Sequence, residues 1–232
     1  VQDVDLVIML GTDHSGGAGR LTLTRQSYAT PLGTLPTDLE LVDGLAEILG
    51  PEHAYGEELH HINEHSIELA LVWMHHYMGG RAVPVLPILC GSFHEFVMAD
   101  GDPAVDDNIT AAIQYIREAT AGRRTLVVAA GDLAHVGPAF GDAEPIDAEG
   151  RESLMNRDEE TIAAIRDSDA ARFFALSSAE DDSRKICGLS CIYVALRLLE
   201  GAKGESIGYQ QCAADPEGGS LVSIVGAVLW EG

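Results

Sequence analysis

Lysine is almost absent from this chain. Only Lys185 and Lys203 occur in 232 residues, and 14 lysines and arginines face 37 aspartates and glutamates, for a formal net charge of −23. A surface of that sign repels phosphate backbones, which excludes nucleic acid as an expected partner. Long apolar runs are absent too. None reaches the roughly 20 residues that a bilayer-spanning helix needs, and no leader pattern of charged, apolar and small residues opens the chain. No membrane association is expected, and the location read from these features is cytoplasmic. Cysteine is scarce: Cys90, Cys187, Cys191 and Cys212 form no C-x-x-C pair. That usage excludes a disulfide framework and favours free thiols or metal ligands.

What remains is an ordinary globular composition, 46% hydrophobic and 22% charged, enough to build a buried core. The chain opens at Val1 and runs almost at once into VDLVIML, a continuous apolar stretch suited to a strand buried on both faces. A chain that opens on a core strand reads as one preceded by something more. VPVLPILC at 83–90 and TLVVAA at 125–130 read as further buried strands, the former weakened by Pro84 and Pro87. LTLTRQSYAT suits an edge strand or hairpin. Thr37 and Glu40 have capping-box spacing and predict a helix that runs to about residue 49 and stops at Gly50. Helical patterns follow at 64–78, 104–120, 151–166, 168–176 and 188–200. The tail, SIGYQQCAA and SLVSIVGAVLW, predicts two strands joined by DPEGG. The expected fold is α/β, one domain over 1–232, with a mainly parallel sheet covered by helices on both faces and a C-terminal strand pair.

In open α/β sheets ligands collect beyond the carboxyl ends of the strands. Three predicted strands end in polar residues there: Asp13 and His14, Ser92 and His94, Asp132 and His135. His14 lies among small residues that admit a ligand close to the backbone, although a loop histidine bonded to a carbonyl would look the same. In GDLAHVG the Asp132 carboxylate can orient an imidazole or join it as a ligand, and His135 titrates in the range that suits proton transfer. Glu64 and His65 open a helix, with Ser66 as its candidate cap, and either line a pocket or serve capping and packing. Cys187 stands at the mouth of a helix whose amino end would favour thiolate, while Cys191, one turn on, reads as a core thiol. His75 and His76 read as surface or helix-end contacts, and His94 has no companion in sequence.

LGTDH, NEHSIE, VPVLPILCG, GDLAHVG, CGLSC and SLVSIVGAVLW, in that order over nearly the whole chain, resemble the MEMO family, whose fold is similar to that of class III extradiol ring-cleaving dioxygenases. The resemblance implies a metal pocket with His14 and Cys187 as ligands, Asp132 supplementing or orienting them, and His135 as acid/base. Asp13, Glu64 and His65 would line the pocket. Iron, as Fe(II), is the implied metal, with copper or zinc as alternatives. A thiolate where the dioxygenases use a carboxylate would change charge and potential, so ring cleavage does not carry over. The family also has an upstream P-H-A-G-Y-type segment whose histidine binds the metal. It has no counterpart here and is expected ahead of Val1.

The function expected from these residues is a metal-dependent redox enzyme acting on a small molecule. Its main rival is a non-catalytic binding or adaptor module that takes a peptide or another ligand in the same pocket. A cysteine hydrolase built on Cys187 and His135 is a third option. The oligomeric state is left open.

Overall fold

The computed structural model describes residues 3–230. Val1 and Gln2, on which the reading of an earlier segment rests, lie outside the described residues. The fold is α/β. Strands β1 (Leu6–Thr12), β5 (Val85–Cys90) and β6 (Thr125–Ala130) form a parallel sheet, and β2 (Leu21–Leu23) adds to it antiparallel, in the order β2-β5-β1-β6. The hairpin β3 (Tyr28–Thr30) and β4 (Gly33–Leu35) stands apart from that sheet.

The apolar runs divide their side chains with a period of two. Leu6, Ile8, Leu10, Leu86 and Ile88 face one core, and Val7, Met9, Val85 and Leu89 face the other. Both faces must therefore be covered, as a run without polar alternation requires. Helix α9 (Leu189–Leu198), with α1 (Leu39–Leu49) and α6 (Asp107–Ala119), supplies the first core, and α4 (His65–Tyr77) supplies Ile67, Leu71 and Met74 to the second. Among the described residues no helix is long and apolar enough to cross a membrane.

Pro87 sits inside β5 without breaking it. Val85 donates to Pro36 O and accepts from Asp38 N, so Val85, and by alternation Pro87, turn their backbone groups away from β1. Strand β2 pairs only with Ile88, Leu89 and Cys90. The missing N–H of Pro87 therefore falls on a stretch of edge where no β2 residue is paired.

Two caps differ from the sequence reading. Asp38, not Thr37, caps α1, its carboxylate accepting from Leu41 N. Thr37 is committed elsewhere, in a parallel bridge to Val85 and a hydroxyl bond to Gln26 O. Glu64, not Ser66, caps α4, and the Ser66 hydroxyl instead donates to Thr12 O at 3.0 Å. Three short helices went unforeseen: α2 (Pro51–Tyr55), α3 (His60–Asn63) and α5 (His94–Met98). The later helices are α7 (Ala148–Arg166) and α8 (Ala170–Ser178).

The C-terminal pair, β8 (Lys203–Ala213) and β9 (Leu221–Trp230), is antiparallel as expected. It is joined by a two-residue strand read from sequence as loop, β7 (His135–Val136), which pairs with β9 at Val222 and Leu221. Just before it, Leu133 N donates to Ser223 O and Ser223 N donates to Ala134 O. The chain leaving β6 thus passes from the parallel sheet into the second sheet, and this transfer holds GDLAHVG in place.

Candidate metal centre

Strands β1, β5 and β6 end level with one another, Thr12 opposite Cys90 and Gly11 opposite Ala130. Their loops meet a fourth segment, 180–188, which precedes α9. Two glycines permit the meeting. A Cβ on Gly131 would stand 2.6 Å from Gly188 Cα and 2.7 Å from Cys191 Sγ, and one on Gly188 would stand 2.8 Å from Asp132 O. With neither present, Gly188 N donates to Asp132 O at 2.8 Å and Cys187 N to Leu133 O at 3.2 Å. Backbone contact of this closeness carries Cys187 to the ends of the strands.

His14 is gripped on one side. Glu64 Oε2 accepts from its backbone N at 3.1 Å and pairs with its Nδ1 at 2.9 Å. With Nδ1 carrying the proton toward the carboxylate, Nε2 is left as the free donor atom, the orientation a metal-binding imidazole needs. That Nε2 lies 3.2 Å from Cys187 Sγ. The other oxygen of Glu64 accepts from Ser66 N and lies 3.3 Å from Nδ1 of His65, whose ring stacks on His14 with centroids 5.1 Å apart. Burial works against the charge on Glu64, but the hydrogen bonds from His14 and Ser66 outweigh it, so its carboxyl lies below the usual range. Glu64, expected as a pocket wall, lines neither hollow beside His14: it is cap and orienting group at once.

On the far side, Asp132, His135 and Cys187 offer ligand atoms within 4.8 Å of one another. His135 Nδ1 donates to Leu133 O at 3.2 Å, which leaves Nε2 as the acceptor, 3.8 Å from Asp132 Oδ2. Phe140 meets the His135 ring edge-on at 4.8 Å. Two hollows flank the His14–Cys187 contact, one of about 280 Å³ lined by Ser66, Leu69 and Asp132, the other of about 360 Å³ lined by Ser92, Phe140 and Ile186. Asp13 lines the larger hollow together with His14. Its buried carboxylate is 3.0 Å from His60 Nδ1 and, with Glu57, makes another group that could hold a cation.

His14 Nε2 and Cys187 Sγ are spaced to share one ion, while Asp132 and His135 cluster with Cys187 and His14 clusters with Glu64 and His65. With metal–nitrogen and metal–sulfur bonds of about 2.0–2.1 and 2.3 Å, two ligands at roughly 90–110° stand about 3.1–3.6 Å apart. The Nε2–Sγ separation here is 3.2 Å. An imidazole, a thiolate and a carboxylate match iron, copper or zinc and do not match magnesium or calcium.

The thiol itself departs from the sequence reading. Helix α9 begins at Leu189, after Cys187, and burial, followed by the Asp132 carboxylate, pushes the thiol up to about 12. Burial thus favours the thiol over the thiolate, the opposite of the activation that a helix mouth was expected to give. Iodoacetamide should thus alkylate Cys187 of the metal-free protein far more slowly than in the unfolded chain, and about tenfold faster for each unit of pH gained. Peptide-resolved mass spectrometry measures this, and a folded-state rate equal to the unfolded one would refute it.

Other partners had no signal in the sequence. His75, read as a surface or helix-end contact, is buried and pairs with Thr30 Oγ1 at 2.7 Å, and His94 finds Asp182 at 3.7 Å. Each pairing joins residues far apart along the chain, where no spacing rule applies.

A family model described as Memo-like protein matches residues 1–228. Among curated relatives, a MEMO1 family protein of Methanosarcina acetivorans is 28% identical over 97% of this chain and 74% of its own length. One from Methanosarcina mazei is 34% identical over 67% of this chain and 53% of its own length. One from Archaeoglobus fulgidus is 24% identical over 98% of this chain and 77% of its own length. With a match that runs from the first strand almost to the end of the last, this chain belongs to the Memo-like protein family.

Proposed function

We propose that this protein holds a non-haem iron ion through His14 Nε2 and Cys187 Sγ, with Asp132 as a further oxygen donor, and uses it for redox chemistry on a small molecule. The observation that carries the reading is the 3.2 Å contact between an imidazole and a thiol that lie 173 residues apart. Bound iron would supply Lewis acidity and electron transfer. Copper suits the same thiolate and imidazole donors, whereas zinc would occupy them without redox activity. His135, its Nε2 free as an acceptor, takes or returns a proton at a substrate in the hollow. Asp132 holds a negative charge beside that nitrogen and favours the imidazolium once formed. The protein is proposed to act in the cytoplasm without nucleic acid, consistent with its net charge of −23.

Anaerobic purification, metal analysis and oxygen uptake with catechol, with and without added Fe(II), test the proposal. Near-stoichiometric iron with substrate-dependent uptake is expected. Iron, copper and zinc all far below stoichiometry would end it. Metal retained with no uptake would favour a binding module. One feature favours that second reading: Leu69, Trp73 and Tyr77 follow His65 at helical spacing and are 57%, 63% and 73% exposed, an apolar track that a peptide could follow from the hollow.

Glu64→Ala should weaken metal binding by about 10–100-fold, the usual cost of losing the partner that orients a ligand imidazole. A chelator competition titration reads the effect. Unchanged affinity would mean that His14 needs no such support.

A further inference from the structure

The larger hollow has a feature that the metal reading leaves unused. In a chain with two lysines, one of them, Lys185, stands in its wall. The backbone there is strained: Asp181, Asp182 and Lys185 all have φ near +51°, the left-handed region that side chains other than glycine avoid. Three such residues within five, directly before Cys187, present Lys185 at the rim.

The charges around the hollow are unequal in availability. Asp13 is buried and engaged by His60 and by Ser15 N. Asp182 is held by Ser177 Oγ, Ile186 N and His94. Both carboxylates in the wall therefore already have protein donors. Lys185 is different. Its partner, Asp142, lies outside the wall, and the two side chains are 39% and 37% exposed. A half-exposed pair of this kind binds weakly and exchanges readily for another carboxylate. Phe140 and Ile186 add apolar surface. A volume of about 360 Å³ lies at the low end of ligand pockets, which span roughly 300–1,000 Å³, and suits a single ring with substituents.

We infer that the hollow beside His14 and Cys187 binds a small aromatic carboxylate, its ring against Phe140 and Ile186 and its carboxylate taken by Lys185 in exchange for Asp142. Naming this ligand as the substrate rests on the redox reading of the centre. The recognition itself belongs to side chains that need no metal.

Benzoate and its neutral shape-match benzamide are the probes, titrated by calorimetry or ligand-observed NMR into the whole chain after chelator treatment. Benzoate is expected to bind at least tenfold tighter than benzamide. Lys185→Met should abolish that preference, and Lys185→Arg should restore most of it. Equal affinities in the wild type, no benzoate binding at millimolar concentration, or a preference that survives Lys185→Met would each overturn the inference. Melting curves confirm that the variants fold. Metal content is measured on separate, untreated samples, so loss of the metal reading and loss of this one are told apart.

Discussion

In His14→Ala and in Cys187→Ser, iron occupancy is expected to fall to about a tenth of the wild-type value or less, since loss of a ligand should exceed the 10–100-fold affinity cost of losing the group that orients one. The physical reason is that, in the proposed centre, both side chains would grip one ion from opposite sides. His14 Nε2 is freed for metal because Glu64 holds Nδ1 at 2.9 Å, and Cys187 Sγ is delivered 3.2 Å away by the backbone contact of Gly131 with Gly188. Removing either leaves an ion with one strong donor and the Asp132 carboxylate. A second readout separates lost binding from damaged folding. Fe(II) at 100 times its dissociation constant should stabilise the wild type by about 2.7 kcal/mol and raise its melting temperature, with little effect on either variant. Metal-free melting temperatures close to wild type are expected, as His14 is about half-exposed. Full occupancy in both variants would remove the centre from consideration.

Asp158→Ala is expected to destabilise the fold by about 3–5 kcal/mol, the usual cost of stripping the partner from a buried charge. Arg184 is 2% exposed and Asp158 is 0% exposed, and Arg184 Nη1 donates to Asp158 Oδ1 at 2.6 Å. The other Asp158 oxygen accepts from Tyr209 OH at 2.9 Å, and Glu180 takes Arg184 Nε. The substitution would leave a guanidinium in the interior with one carboxylate where it had two. For a chain of this size the melting point should fall by roughly 2–4 °C per kcal/mol, about 6–20 °C in all. Because Arg184 O accepts from His135 N at 2.7 Å and Cys187 lies three residues on, the same variant should also loosen the metal centre. Adding Arg184→Met should recover part of the loss, because an apolar pair does not carry the uncompensated charge. A loss below about 1 kcal/mol on denaturant titration would show that the pair is relaxed by water.

Much of the architecture was legible in local pattern. The apolar runs that became β1 and β5 predict buried strands, and the two cores confirm that reading, with Ile8 and Met9 facing opposite ways, whereas β6 lies at the edge of the sheet and its residues are only partly buried. Pro87 weakens the pattern for β5 and is tolerated because the outer edge there lacks a paired β2 residue. The caps at Thr37 and Ser66 were misread for one reason. Both residues have the right side chain for a cap, but each hydroxyl is claimed by a distant carbonyl, Gln26 O and Thr12 O. His135 was read in a loop, and its strand exists only because β9 lies beside it.

The sequence by itself determined the alternation of the main strands and helices, the net charge of −23, and the residue types, His14, Asp132, His135 and Cys187, from which a metal centre can be built. Those follow from periodicity and composition, which act over a few residues or over the whole chain. Only the tertiary structure decided that Glu64 orients His14 from 50 residues away, that Arg184 finds Asp158, that Lys185 shares a hollow with Cys187, and that burial pushes the Cys187 thiol up. Each of these depends on distance and burial between segments far apart in sequence, and electrostatic interaction depends on both.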